Sequence, residues 1–480
     1  ADASITTTAG TDSLARYHQE KTSAVGLFFG GGRLDFYRAR NTREETMQAD
    51  NRPSTLTAGG DVRVTAPGDI TLQGSVVGAG GMAELIAMTS ALMALNALTI
   101  DIMLPALPEI GRAFDALGNE RQLVITSYVL GFGIAQLAYG PLADALGRHT
   151  VLLASLGAYT LATLLCLAAP DFSWMLAARA LQGAAAAGTR VIATAVVRDL
   201  VSGRKMAQII SIAMTFFMAA PILAPGIGQL ILFVASWQWI FIALLISGIA
   251  LWVWMWVRLP ETLAPENTIP FNVKSAAVNY WLAASNRVTL GYMCAATLIF
   301  GALFAFIATS EQIMAELYGL EAWFAVAFAG VAIALAFANI FNARIVGRYG
   351  MRRISHIAII AFILINGGHM IWAIISEPPF WVFYPLLTLG MMLFGMMGAN
   401  FSALIMEPAG KRAGTASALY GSVTAMGGAV LGSAIGLTFD NSVVPLLAGM
   451  AVLGLGGLIV VYITEKGELF EPGPADPDTL

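Results

Sequence analysis

The sequence predicts an all-α polytopic membrane protein with twelve transmembrane helices in two pseudo-symmetric six-helix halves. Three observations carry this. Only 12% of the 480 residues are charged and 57% are hydrophobic, with a mean hydropathy of +0.72; soluble domains carry about 25% charged residues. Twelve apolar stretches reach the roughly 20 residues that a bilayer-crossing helix needs. One polar stretch bearing Pro260, Pro265 and Pro270 divides them six and six. The same composition excludes disorder, which needs low hydrophobicity and high charge. A net charge of -4 without a long basic run leaves no footprint for a nucleic acid. Cys166 and Cys294 lie in apolar stretches with no close thiol or histidine, so no disulfide framework, metal site or cofactor is expected.

Residues 1–81 form a different kind of polypeptide, with 8 of the 26 Lys/Arg, 9 of the 30 Asp/Glu and no spanning stretch. They read as a short β-like or disordered leader, fused or mis-joined ahead of Met82 and without a transport role. Within it, Gly60-Asp61 and Gly68-Asp69 repeat at eight residues beside the alternating Val62/Val64 and Ile70/Leu72, a strand signal. No signal peptide precedes it, and two rungs cannot bury a solenoid core.

From residue 82 the chain divides into a first half (82–257), a central loop (258–287), a second half (288–463) and a tail (464–480). The spans are expected at 84–107, 122–143, 150–170, 172–197, 206–231, 236–257, 288–310, 322–343, 354–376, 379–404, 412–436 and 441–463. Orientation follows from the basic residues. With the start of the first span inside, the inside loops collect Arg148, Arg198, Arg204, Lys205, Arg258, Lys274, Arg287, Arg344, Arg348, Arg352, Arg353, Lys411 and Arg412. The outside loops hold Arg112 and Arg121 with acids such as Glu109, Asp115, Asp171, Glu316, Glu377 and Asp440. Both ends of the membrane domain are thus expected in the cytoplasm. The halves also echo each other, since Gly147-Arg148 and Gly350-Met351-Arg352 close the second inside loop of each. Repeated six-helix halves mark secondary transporters.

Within the spans, Asp101 is the one acid that the sequence puts well away from a loop. A carboxylate in hydrocarbon costs roughly 2.5–3.5 kcal/mol on insertion scales. It is tolerated if it faces a wet cavity, pairs with a cation or takes up a proton, and apolar surroundings favour the neutral form. The plainer reading is a cap or pair near the helix end. Arg179 lies about two turns into the fourth span, with Gln182, Ala186 and Arg190 on its face by helical spacing. A guanidinium keeps its charge and must meet a carboxylate, carbonyls or water, or snorkel to the surface. For Arg190, closer to the inner end, a structural pair or snorkelling is the favoured reading. Gly140, Asp144, Gly147 and Arg148 form a turn at the inner end of the second span, where charges can latch the halves together or simply signal topology. Pro221 and Pro225 bend the fifth span, while Gly226 and Gly228 thin it for a neighbour. Gly428, Gly432 and Gly436 make a small-residue strip on the eleventh. Tyr128 and Gln136, with Phe132 between them and Met391, Met392, Met396 and Met397 later in the chain, can line an adaptable cavity or merely pack.

These motifs resemble the major facilitator superfamily over residues 82–463. Gly140 to His149 is similar to the family's inside-loop motif, with Ala145 where a basic residue is usual. Arg179-Ala-Leu-Gln182-Gly183 and Ala220-Pro221-Ile-Leu-Ala-Pro225-Gly226-Ile-Gly228 resemble two motifs of drug/proton antiporters. Ile100-Asp101-Ile-Met-Leu-Pro105-Ala-Leu-Pro108 and Gly414-Thr415-Ala-Ser-Ala-Leu narrow the resemblance to the bicyclomycin/chloramphenicol-resistance type. It implies the major facilitator fold and proton-coupled efflux of small, mostly apolar drugs across the bacterial inner membrane by alternating access. Asp101, Arg179 and Gln182 would then couple protons to substrate, with Arg179 tuning a carboxylate. The partners implied are drug, protons and the lipid bilayer, and the unit implied is a monomer. A metabolite such as a sugar or nucleoside is the alternative cargo. Residues 57–75 separately resemble a filamentous-haemagglutinin-type repeat, which would make the leader an adhesin-like interaction segment. No enzyme is expected: His18, His149, His356 and His369 are scattered, and no P-loop supplies ATP drive.

Overall fold

The computed structural model describes the short strands Ala3–Thr6, Leu14–Arg16, Leu27–Gly30, Arg33–Phe36, Thr46–Gln48 and Val62–Thr65, and residues 79–470 except 117. Twelve helices are long and apolar enough to cross a membrane: Ala83–Ala113, Glu120–Leu146, Arg148–Leu167, Phe172–Leu200, Gln208–Val234, Gln238–Arg258, Arg287–Leu317, Glu321–Tyr349, Met351–Ile375, Phe380–Gly410, Ala413–Gly436 and Val444–Thr464. They are referred to below as the first to twelfth spans. The first, seventh, eighth and tenth run six or seven residues past their expected ends. In three of these the surplus is not plain α-helix. The first span breaks after Asp101 and continues as a 3-10 turn, Leu104–Ala106, and a short helix, Leu107–Ala113. The seventh ends in a π-helical turn, Gln312–Leu317, and the tenth in a 3-10 turn, Glu407–Arg412. At the ends of the seventh and tenth spans the polar Glu311, Gln312 and Glu407 find partners on other spans.

The third and ninth spans each start from a glycine in the left-handed region, Gly147 (φ 91°) and Gly350 (φ 79°), a conformation that favours a residue without Cβ. Within the halves the spans pack first on fifth, second on fourth, third on fourth, seventh on eleventh and twelfth, and ninth on tenth. Between the halves the second span packs on the eleventh and the fifth on the eighth. Large apolar side chains such as Ile134, Leu161, Trp239, Ile246, Leu364 and Val452 stay exposed on the outside of the bundle, as a lipid-facing surface requires. The central segment holds a helix, Val273–Ala284, whose Tyr280 hydroxyl donates to the Leu137 carbonyl at 2.9 Å.

The first helix begins at Ala79, just inside the stretch read as leader. The haemagglutinin-type reading of residues 57–75 is not borne out. Most of that stretch lies outside the described residues, and its one described strand, Val62–Thr65, pairs in parallel with Ala3–Thr6 rather than with a neighbouring rung.

Candidate functional site

Arg179 organises the interior of the first half. It is fully buried. Its Nε donates to the Val124 carbonyl at 3.1 Å, Nη1 to Gln182 Oε1 at 2.6 Å and Nη2 to the Thr99 carbonyl at 3.4 Å. The Tyr128 ring lies 4.6 Å from its Cζ, a cation–π distance. Gln182 passes the chain on, donating to Thr163 Oγ1 at 2.7 Å. Thr99 meets the Tyr159 hydroxyl at 2.8 Å, and Asn96 donates to Thr189 at 2.9 Å. Carbonyls, not a carboxylate, therefore hold this cation. Glycines make the arrangement possible. A methyl on Gly183 would overlap the Tyr128 carbonyl, and one on Gly131 would overlap the Ala180 carbonyl. The second and fourth spans thus touch backbone to backbone at two places, which sets Arg179 over Tyr128.

Tyr128 is consequently fully buried under Arg179 and does not line a cavity, contrary to one expectation. Met391 and Met397 are also packed inside. Gln136 lies where the halves meet, its amide against Gly421 of the eleventh span. Nearby, the Ser422 hydroxyl donates to the Gly133 carbonyl at 2.5 Å.

Asp101 is the last residue of the first helix and is only 4% exposed. Pro105 has no N–H for the Asp101 carbonyl, so the α-helix stops there. Gly228 of the fifth span packs onto this break, so closely that a methyl on it would meet the Ile102 carbonyl oxygen. Among the described residues the Asp101 side chain has no hydrogen-bond or ion-pair partner, and Arg179 does not reach it. The Arg179 contact on this span is the Thr99 carbonyl, two residues earlier. Of the proline–glycine motif, Pro221 and Pro225 lie inside the continuous helix Gly203–Val234. Gly226 has open space beside it, so close approach rests on Gly228 alone.

At the arginine-rich end the two halves repeat one design. Arg148 is 3% exposed and binds Asp144 at 2.6 Å and Asp199 at 2.9 Å. Glu261, just past the sixth span, accepts from the backbone N–H of Arg148 at 2.8 Å and of His149 at 3.1 Å. Gly147 leaves room for that carboxylate, which a methyl would strike, whereas Gly140 faces open space. In the second half Arg352, 4% exposed, binds Glu407 at 3.1 Å and Glu465 at 2.9 Å. Each cluster stays inside its own half, so the expected latch between halves at Asp144 and Arg148 is not formed in this conformer.

The opposite, acid-lined end does join the halves. Arg121 Nη2, at the start of the second span, lies 3.3 Å from Glu311 and 2.7 Å from Glu316 on the seventh. Gln122 donates to Gln312 and to the Gly436 carbonyl. Asn119 donates to the carbonyls of Leu437 at 3.0 Å and Phe439 at 2.8 Å, and accepts from Gln312 at 2.7 Å. Gln229 adds a contact from the fifth span to the Glu321 carbonyl at 2.7 Å. This layer adds a second buried acid to Asp101, since Glu311 has a side chain only 5% exposed. The apolar run ends just before Glu311, and its cation sits on the other half, so spacing alone carried no signal. Among the described residues no group of acids, histidines or cysteines is placed to hold a metal.

A family model described as Major Facilitator Superfamily matches residues 89–433. The chain is 30% identical over 392 residues to "Uncharacterized MFS-type transporter YdgK" of Bacillus subtilis, covering 79% of this chain and 94% of that protein. It is 28% identical over 379 residues to "Bicyclomycin resistance protein homolog" of Haemophilus influenzae, covering 78% and 94%. Among solved structures, a D-xylose-proton symporter superposes with a TM-score of 0.64 at 12% identity, covering 82% of this chain and 99% of that one, a likeness of fold alone.

Proposed function

Because the chain belongs to the major facilitator superfamily, a family of transporters and not of enzymes, we propose that it exports small, mostly apolar drugs across the bacterial inner membrane in exchange for protons. The single chain is the working unit, and the arginine-rich end faces the cytoplasm. The observation that carries the reading is Asp101: a buried carboxyl without a partner, at a helix break that touches the fifth span. Likeness to a bicyclomycin resistance protein homolog favours drug over sugar or nucleoside as cargo.

An unpaired acid in the membrane is tolerated in its protonated form and is costly when charged. Proton occupancy at Asp101 therefore changes the energy of the break around it. Gly228 carries that change into the fifth span, which faces the eighth across the divide. Arg179 and Gln182 position the first span through Thr99 and hold the fourth span to the second. In the conformer described, the layer of Arg121, Asn119, Gln122 and Gln312 is closed, and in this reading it is the outer gate of an inward-facing state. Opening outward breaks that layer and brings the Asp144–Arg148 cluster against the second half, where it acts as the inner gate.

The test is Asp101→Asn, which removes the titratable proton at nearly constant volume. The variant should reach the membrane and lose efflux driven by a pH gradient, together with the proton release that accompanies drug binding. Gradient-driven efflux at the wild-type rate would overturn the coupling role.

A further inference from the structure

Arg190 sits eleven residues after Arg179 on the fourth span, three turns on and on the same face. The two cations are held very differently. Arg179 is sealed in and its donors meet carbonyls, whereas Arg190 lies deep between the spans yet keeps part of its surface open. Its guanidinium carbon stands 5.5 Å from the Phe217 ring of the fifth span. Tyr420, on the eleventh span and so on the other half, is the titratable group that faces it, and it too is partly open. No hydrogen-bond acceptor and no carboxylate partners Arg190 among the described residues.

A guanidinium cannot shed its charge, and an unpaired one at this depth needs water or an anion. Phe217 fixes one face of its plane, which leaves the edge donors free for the bidentate geometry that suits an oxyanion. Resting on the transport reading above, we propose that Arg190 is the recognition group of the substrate path and that it selects molecules with a carboxylate or similar oxyanion on an aromatic body. The oxyanion meets the guanidinium edge, and the ring packs beside Phe217 and Tyr420. Because those groups belong to both halves, an anion bound there bridges the moving parts.

The test uses the full chain, purified, with two probes of one shape: naphthalene-1-carboxylate and naphthalene-1-carboxamide. Isothermal titration should show the wild type preferring the carboxylate by at least ~10-fold, the lower end of a charge-assisted hydrogen bond. Arg190→Gln should erase that preference and Arg190→Lys should keep part of it. Equal affinity for the two probes in the wild type overturns the proposal without any variant, and so does a preference that survives in Arg190→Gln. Gradient-driven efflux of chloramphenicol, which is uncharged, separates the two readings. Its export by a protein without preference for the carboxylate rejects the Arg190 proposal and leaves the transport reading standing.

Discussion

The two ends of the bundle use their charges in opposite ways. At the arginine-rich end, Arg148 and Arg352 each gather acids from their own half. At the acid-lined end, Arg121 reaches across to Glu311 and Glu316. The first arrangement makes each half a stiff unit, and the second ties the two units together. On the alternating access proposed above, a change between inward-open and outward-open forms would have this polar layer to break, while the clusters at the other end would travel intact.

That contrast can be broken at the stiff end first. Arg352→Gln leaves Glu407 and Glu465 without their cation. Removing one partner of a buried pair typically costs about 3 kcal/mol or more, so thermal unfolding in detergent should drop clearly and the folded yield should fall. A melting temperature equal to that of the wild type would mean that the cluster does not stiffen the half.

At the joining end the effect is smaller and of another kind. Glu311→Gln keeps volume and leaves Arg121 its contact with Glu316. Because Arg121 keeps its shorter contact with Glu316, losing the longer one to Glu311 is worth about 1 kcal/mol, or roughly fivefold in the balance between conformers. Spin labels flanking the layer, one near Asn119 and one near Asp440, should report a larger fraction of wide separations. An unchanged distance distribution would assign the seal to the neutral contacts of Asn119, Gln122 and Gln312. The smallest effect is expected from removing residues 1–81, because none of the residues assigned to the transport path lies among them. Efflux by the shortened chain should match that of the full chain, and a loss of transport despite normal insertion would give the leader a role.

The contrast also explains what the sequence could and could not reveal. Twelve spans were legible because burial in lipid demands long apolar runs, and the shared face of Arg179 and Gln182 was legible because their spacing lies within one helix. Glu311 was not, because its partner lies 190 residues away on another half, and a period identifies a face without saying which face it meets. Tyr128 shows the same limit: its spacing fits a cavity wall as well as a packed position, and two glycine contacts set it under Arg179. Gly226 shows the converse, since a motif names two small residues although only Gly228 meets a neighbour.

The contact of Gly133 with Ser422 has a mechanical consequence. Both residues stand near the middle of their spans, the second and the eleventh, so the halves meet closely at mid-membrane. In the alternating access proposed above, such a point would serve as a fulcrum. With a hydrocarbon core about 30 Å thick, each arm of the lever is about 15 Å long. A rigid-body rotation of about 15°, of the size known for subunit switches, then displaces each membrane face by ~4 Å while the fulcrum hardly moves. Arg121 and Glu311 would be pulled out of contact by that stroke. The Ser422 hydroxyl could keep its carbonyl throughout, so the pivot would hold its hydrogen bond while the gates exchange theirs.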